Sequence, residues 1–280
     1  MYRIVNKQEL APSILLMDVE APKVAAKAKA GQFIILRVDE EGERIPLTIA
    51  DCDTHRGHVT IIFQEVGYST RKLAQLKTGD YLLDFVGPLG QASEIENYGT
   101  VVCVGGGVGV APVLPIAKAL KEAGNEVISI IGARNKELLI LENEMKNVSS
   151  ELLIATDDGS YGHKGFVTDL LKQVLETRED IARVWGIGPV VMMRAVANTT
   201  KPFGIKTIVS MNPIMVDGTG MCGACRVSVG EETKFACVDG PEFDGHLVDW
   251  DLAQRRMAMF KEEETIANKI HGCGGECTCH

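Results

Sequence analysis

Asp217, Cys222, Cys225 and Cys237 are spaced Asp-x4-Cys-x2-Cys-x11-Cys. A C-x4-C-x2-C loop with a distant fourth cysteine is how plant-type [2Fe–2S] clusters are held, and here an aspartate stands in the first slot. Gly218, Gly220 and Gly223 lie within the loop, so backbone N–H groups can crowd toward cluster sulfides with no Cβ in the way. Zinc is the competing reading, because Cys222-x2-Cys225 with Cys237 and one further ligand is arithmetically a zinc ribbon. A ligand slot five residues before Cys222 suits a cluster loop better. The run Cys225–Val229, the turn 230–233 and Phe235–Cys237 predict a hairpin that returns the last cysteine to the others. Asp217 is then either a ligand or a group behind one, with a tail cysteine completing the set.

A second chemistry sits on glycine-rich turns. Gly105-Gly106-Gly107-Val108-Gly109-Val110-Ala111-Pro112 follows the apolar run Val101–Val104. It misses the strict G-x-G-x-x-G form because Val110 occupies the last glycine position. A glycine turn between strand and helix still lets backbone approach a pyrophosphate at the helix N-terminus, and Pro112 suits a first helical turn. Thr156–Gly162 and Gly186-Ile187-Gly188-Pro189 also follow strands, at the sheet edge where α/β folds bind ligands. Arg44-Ile45-Pro46-Leu47-Thr48 reads either as an arginine for a cofactor phosphate with a hydroxyl for a flavin ring, or as an exposed arginine beside a strand threonine. Val66-Gly67-Tyr68-Ser69-Thr70 opens a helix and offers a second phosphate-type N-terminus.

These motifs need elements to position them. At 280 residues, with 45% hydrophobic and 24% charged residues, the chain suits two soluble domains and an appendage. Before residue 97 the apolar segments are strand-length (Ile14–Val19, Gln32–Val38, His58–Phe63), with one helix at Ser69–Leu76. From residue 100 strands and helices alternate: helices at Val113–Glu122, Glu137–Met145, Val167–Leu175 and Val191–Asn198, strands at Glu126–Ile131, Glu151–Ala155 and Arg183–Ile187. A further helix is expected at Asp251–Phe260. The expected class is α+β multidomain: an N-terminal antiparallel β-barrel (1–97), a parallel-sheet nucleotide domain (98–209), a [2Fe–2S] module (210–262) and a Cys-rich tail (263–280).

A net charge of −9 with no basic patch argues against nucleic acid, and no apolar run is long enough for a membrane helix. The N-terminal Met-Tyr-Arg-Ile-Val reads as a strand and not a signal peptide. Eight cysteines in an acidic chain then point to metal ligation in a reducing cytoplasm. Cys52 and Cys103 read as buried small residues. The tail residues His271, Cys273, Cys277, Cys279 and His280 read equally as a metal-binding or partner-facing group and as an unstructured tail. Arg134, after the second strand, leans toward a 2′-phosphate and so toward NADP.

With Arg-x-Pro-Leu-Thr, Val-Gly-x-x-Thr and Gly-Gly-Gly-x-Gly-x-Ala-Pro in this order, residues 1 to about 260 resemble the ferredoxin–NADP reductase superfamily. The C-terminal cluster loop narrows the resemblance to two families of two-subunit flavoproteins. One comprises electron transfer subunits of class 1B dihydroorotate dehydrogenases. The other comprises small subunits of NADH-dependent reduced ferredoxin:NADP oxidoreductases, also described as sulfide dehydrogenases. Asp217 and the segment Cys237–Trp250 favour the second.

The resemblance implies FAD held by Arg44, Pro46, Leu47 and Thr48 on its ring side, with Gly67 and Thr70 at its phosphates. It implies NAD(H) cradled by Gly106, Gly107, Gly109 and Pro112, with Gly188 and Pro189 near the ring, and a cluster on Asp217, Cys222, Cys225 and Cys237. Leu47 departs from the superfamily's flavin-stacking tyrosine and Ile187 from its common cysteine. No acid–base residue is required, since the flavin carries the hydride chemistry. The implied partner is a larger subunit with a second FAD and [4Fe–4S] clusters, so that ferredoxin is served indirectly through an electron-bifurcating complex. Outside the resemblance stands a different class, a zinc-stabilised nucleotide-binding regulator without enzymatic activity.

Overall fold

The computed structural model describes residues 1–272. The N-terminal third is a seven-stranded antiparallel sheet curled into a nearly closed barrel: β1 (Tyr2–Ala11), β2 (Ile14–Glu20), β3 (Phe33–Arg37), β4 (Ile45–Asp53), β5 (His58–Gln64), β6 (Tyr81–Leu82) and β7 (Asp84–Leu89), in the order β6-β1-β2-β5-β4-β3-β7. Alternating apolar residues such as Ile4, Met17, Ile34, Leu36, Ile61 and Phe63 fill its interior, as period-2 patterning requires. Two helices attend it, α1 (Pro22–Ala25) and α2 (Tyr68–Gln75).

The second sheet begins with β8 (Thr100–Gly106), whose seven residues are all buried, as expected of a central parallel strand. There follow α3 (Val110–Glu122), β9 (Glu126–Ala133), α4 (Glu142–Val148), β10 (Glu151–Thr156), β11 (His163–Lys164), α5 (Val167–Thr177), β12 (Ile181–Ile187), α6 (Val190–Thr200) and β13 (Lys206–Ser210). The hairpin β14 (Arg226–Val229)–β15 (Glu232–Phe235) leads to β16 (Glu242–Asp244), which joins β13 antiparallel and ends the order β11-β10-β9-β8-β12-β13-β16. Helices α7 (Trp250–Met257) and α8 (Lys261–Gly272) follow. Cys273, Cys277, Cys279 and His280 lie outside the described residues, as does the side chain of His271. No described helix is long and apolar enough to cross a membrane.

The structure departs from the sequence reading at Glu137–Met145. Residues Lys136–Leu138 form a 3-10 turn, Leu141 takes φ +57°, and α4 starts only at Glu142. Burial of Ile140 in the core between sheet and helices pulls Leu139–Leu141 off a helical path. The strand β13, paired on both sides by β12 and β16, is also additional to the elements expected from the sequence.

Where the two sheets and the C-terminal segment meet, Ser93 Oγ donates to Glu242 Oε1 at 2.5 Å. Burial pushes the Glu242 carboxyl up, opposed by Ser93 and by the nearby Trp185 indole, whose buried N–H has no formed hydrogen bond. A raised carboxyl pKa means stability is fully present below the ordinary carboxyl range and is lost as pH rises through the raised value. Each pH unit in that window weakens the fold by about 1.4 kcal/mol. Glu242→Gln, which copies the protonated acid, should therefore raise Tm over the native protein by an increment that grows from pH 5 to pH 8 in thermal melts. An increment independent of pH would show an ionised carboxylate at this seam.

Candidate functional site

A cleft of about 870 Å³ runs between the barrel and the C-terminal edge of the second sheet, within the size range of cofactor sites. Pro46, Leu47 and Thr48 on β4 line it on the barrel side, with Thr70 on α2. The glycine turn after β8 lines the other side with Gly106, Gly107, Gly109 and Pro112, joined by Gly188 and Pro189 after β12. Ten of the twelve cofactor residues read from the sequence thus share one cavity wall. Arg44 and Gly67 are the two outside it.

Gly67 leads directly into α2. The N–H groups of Val66 and Gly67 both donate to Thr70 Oγ1 at 3.0 Å, and Thr70 donates back to the Gly67 carbonyl. Thr70 therefore shapes the turn, while the next N–H groups of the first helical turn have no helical acceptor. A Cβ on Gly67 would meet nothing within 4 Å, so open space adjoins this helix start, as a phosphate requires. Arg44 is engaged elsewhere: its Nε donates to the Val216 carbonyl at 2.6 Å and its Nη1 lies 3.9 Å from Asp84.

The loop glycines divide by role. A Cβ on Gly106 or Gly188 would strike the Met192 thioether, and one on Gly109 would lie 2.4 Å from the Ile187 carbonyl. These three let the turn after β8 dock on the turn after β12. Of these turn glycines Gly107 alone combines a left-handed φ of +56° with open space at its Cβ position, which leaves its backbone open to the cleft.

Further lining residues come from Arg134 and the loop Thr156–Gly162, both read from the sequence, and from segments that carried no signal there. Asp157 follows β10 in register beside Arg134, since Thr156 pairs with Ala133. Both line the cleft, and among the described residues Arg134 makes no salt bridge. Phe166 is 63% exposed there, a costly placement for one of so few aromatics. Ser210 and Asn212 close the wall after β13.

The second candidate site is built on the loop between β13 and β14. The Asp217 carboxylate accepts from Thr219 Oγ1 at 2.8 Å, from the Met221 N–H at 3.0 Å and from the Cys222 thiol at 3.1 Å. The Cys222 thiol, then Thr219, hold its pKa well below the usual carboxylate range. Cys225 and Cys237, buried at the two ends of the hairpin, face each other with sulfurs 3.3 Å apart. This is far beyond a disulfide bond, and near the roughly 3.8 Å that two sulfurs take on one metal ion with 2.3 Å bonds in tetrahedral geometry. Burial, then Cys225, push the Cys237 thiol up to about 12.

The donors thus form two pairs, Asp217 with Cys222 and Cys225 with Cys237. Among the described residues no three His, Cys, Asp or Glu side chains converge as a single metal site would need. One pair for each of two irons is the donor set of a [2Fe–2S] cluster, and the residues fit that group. Gly218, at φ +79°, packs where a Cβ would meet Ile35 and Leu89 of the barrel, which seats the loop on the strands beside the cleft. Cys103 is fully buried and Cys52 half-buried. Burial raises both thiols, Cys52 to about 11.

Comparisons with known proteins agree with this division of labour. Residues 103–198 match the family model described as "Oxidoreductase NAD-binding domain", and 212–249 that of the "Iron-sulfur cluster binding domain of dihydroorotate dehydrogenase B". A Thermotoga maritima homolog of the dihydroorotate dehydrogenase B (NAD(+)) electron transfer subunit is 50% identical, over 94% of this chain and 93% of its own. The electron transfer subunit itself from Streptococcus pneumoniae R6 is 34% identical over 86% of this chain and 94% of its own. A solved chain of an NADH-dependent reduced ferredoxin-NADP oxidoreductase, described for flavin-based electron bifurcation, superposes with TM-score 0.92 and 48% identity over 96% of this chain and 97% of its own. The ferredoxin reductase of carbazole 1,9a-dioxygenase, at 19% identity and TM-score 0.62 over 73% of this chain and 65% of its own, shares the fold. The chain belongs to the family of dihydroorotate dehydrogenase B electron transfer subunits and their homologues, with the same two-sheet reductase fold and iron–sulfur module.

Proposed function

We propose that this chain is the FAD- and [2Fe–2S]-bearing subunit of a cytoplasmic, electron-bifurcating NADH-dependent ferredoxin:NADP oxidoreductase. In this reading it exchanges reducing equivalents with NAD(H) and passes them to a larger subunit that carries a second flavin and [4Fe–4S] clusters. One observation carries it: a single cleft joins Pro46–Thr48 of the barrel to the glycine turn of the sheet, and the loop and hairpin carrying the two donor pairs are seated on the same barrel. Bound in that cleft, FAD would couple two-electron nicotinamide to a one-electron cluster.

The chain's own residues bind and orient. Leu47 offers an aliphatic face and Thr48 a hydroxyl to a ring, the α2 start offers N–H groups to phosphates, and Gly107 offers bare backbone to the dinucleotide. Ile187 supplies no thiol. A second reading, the electron transfer subunit of a class 1B dihydroorotate dehydrogenase, is favoured by the family match of the cluster segment. It differs in the partner that co-purifies.

Asp157 supports NAD over NADP. A carboxylate at a strand end accepts hydrogen bonds from a ribose diol and repels a 2′-phosphate, and it counters the lean that Arg134 alone suggests. The protein, purified anaerobically, should bleach its flavin absorbance with NADH well before NADPH. Asp157→Ser should shift the NADH:NADPH preference by about 10- to 100-fold toward NADPH. A colourless protein, or one reduced equally by both nucleotides, would overturn the reading.

A further inference from the structure

The two metal-donor pairs are gripped from the barrel at their backbone. Val216, one residue before Asp217, gives its carbonyl to Arg44 Nε at 2.6 Å. Val238, one residue after Cys237, gives its carbonyl to Gln91 Nε2 at 2.8 Å. Gln91 also donates its own N–H to the Gly240 carbonyl at 2.6 Å. Arg44 is two residues from the cleft-lining Pro46, and Gln91 is two beyond the end of β7. The surfaces between these grips are closely packed: a Cβ on Gly218 would meet Ile35 and Leu89, and one on Gly90 would meet Phe33 and Pro241.

We propose that Arg44 and Gln91 are positioning residues, a two-point brace that fixes the cluster loop and the hairpin end against the flavin-side barrel. The proposal rests on the functional reading above for what is held, but the brace is a property of the chain itself. The grip uses only the Nε of Arg44, so the terminal guanidinium nitrogens can still serve a cofactor phosphate. The Arg44 side chain is only 31% exposed, and it is shared between Val216 and Asp84. The link is short, because one strand segment carries both the grip on Val216 and the wall of the cleft. Displacing either grip therefore moves a donor pair relative to the cleft without touching a donor.

Hydrogen–deuterium exchange on the purified holoprotein tests this, with Gln91→Glu, which turns the donor into an acceptor facing a carbonyl, and Arg44→Met. Exchange in residues 236–241 should rise about tenfold in Gln91→Glu, and in residues 211–224 by a similar factor in Arg44→Met. The EPR signal of the dithionite-reduced cluster should broaden in both. After mixing with NADH, the Gln91→Glu protein should reduce ferricyanide at the native rate while its cluster absorbance bleaches several-fold more slowly. Native exchange with native cluster bleaching in both variants would overturn the brace, as would an effect of Arg44→Met confined to loss of FAD. A native protein lacking flavin or iron would defeat the functional reading instead, and the exchange data would still decide the brace.

Discussion

Cys237→Ser is expected to lose most of its iron and sulfide, about tenfold or more below the native protein, while still oxidising NADH with ferricyanide at no less than half the native rate. Cys237 is 1% exposed and faces Cys225 across 3.3 Å at the end of a hairpin. A serine there presents a harder oxygen on a shorter bond, with a proton still more difficult to remove, whereas iron–sulfur clusters are held by thiolates. Metal binding and local folding share one free energy, so the hairpin and the packing of Ala236, Phe243 and Trp250 around it should also melt earlier. The cleft is lined by none of these residues, which is why the NADH-to-dye reaction should survive. Iron and acid-labile sulfide assays with EPR after dithionite reduction check the outcome. Native iron content and an unaltered signal would show that Cys237 is not a ligand. Cys52→Ser, at a half-buried thiol packed against the barrel core, is the control.

What the sequence made legible follows from how each feature is encoded. The hairpin was readable because the turn and alternation of residues 225–237 are local properties, and β14–β15 did return Cys237 to Cys225. The alternation of strands and helices after residue 100 was readable because each element carries its own period. Asp157, the ribose anchor proposed above, was not singled out because it sits beside Arg134 only through the register of two strands, Thr156 pairing with Ala133, and register is not a local property of sequence. Arg44 shows the complementary limit. Its neighbours in the Arg-x-Pro-Leu-Thr segment line the cleft, but its partner is a carbonyl 172 residues away, and no local pattern encodes that. The α4 segment failed for a third reason, since burial of Ile140 overrode a run of good helix formers.

The glycine turn after β8 yields the other large effect. Gly109→Ala is expected to raise KM for NADH about 30-fold or more and to lower Tm by several degrees. The added methyl would lie 2.4 Å from the Ile187 carbonyl and 2.7 Å from Gly188 Cα. Both are backbone atoms of the turn after β12, so no rotamer relieves the clash, and overpacking of this kind costs about 1–3 kcal/mol. The turn must retreat, and it takes with it the start of α3 and the relative placement of Gly107 and Pro189. Gly107→Ala separates the two roles, because its methyl would meet nothing within 4 Å. Its cost to stability is the left-handed φ of +56° alone, about 1–2 kcal/mol, yet the methyl projects into open space at the turn where the dinucleotide is proposed to sit. Steady-state NADH kinetics and thermal melts on both variants distinguish the cases. Gly109→Ala should move KM and Tm together, whereas Gly107→Ala should move KM out of proportion to Tm. Equal effects at both positions would mean that the turn is held for packing only and that the dinucleotide lies elsewhere.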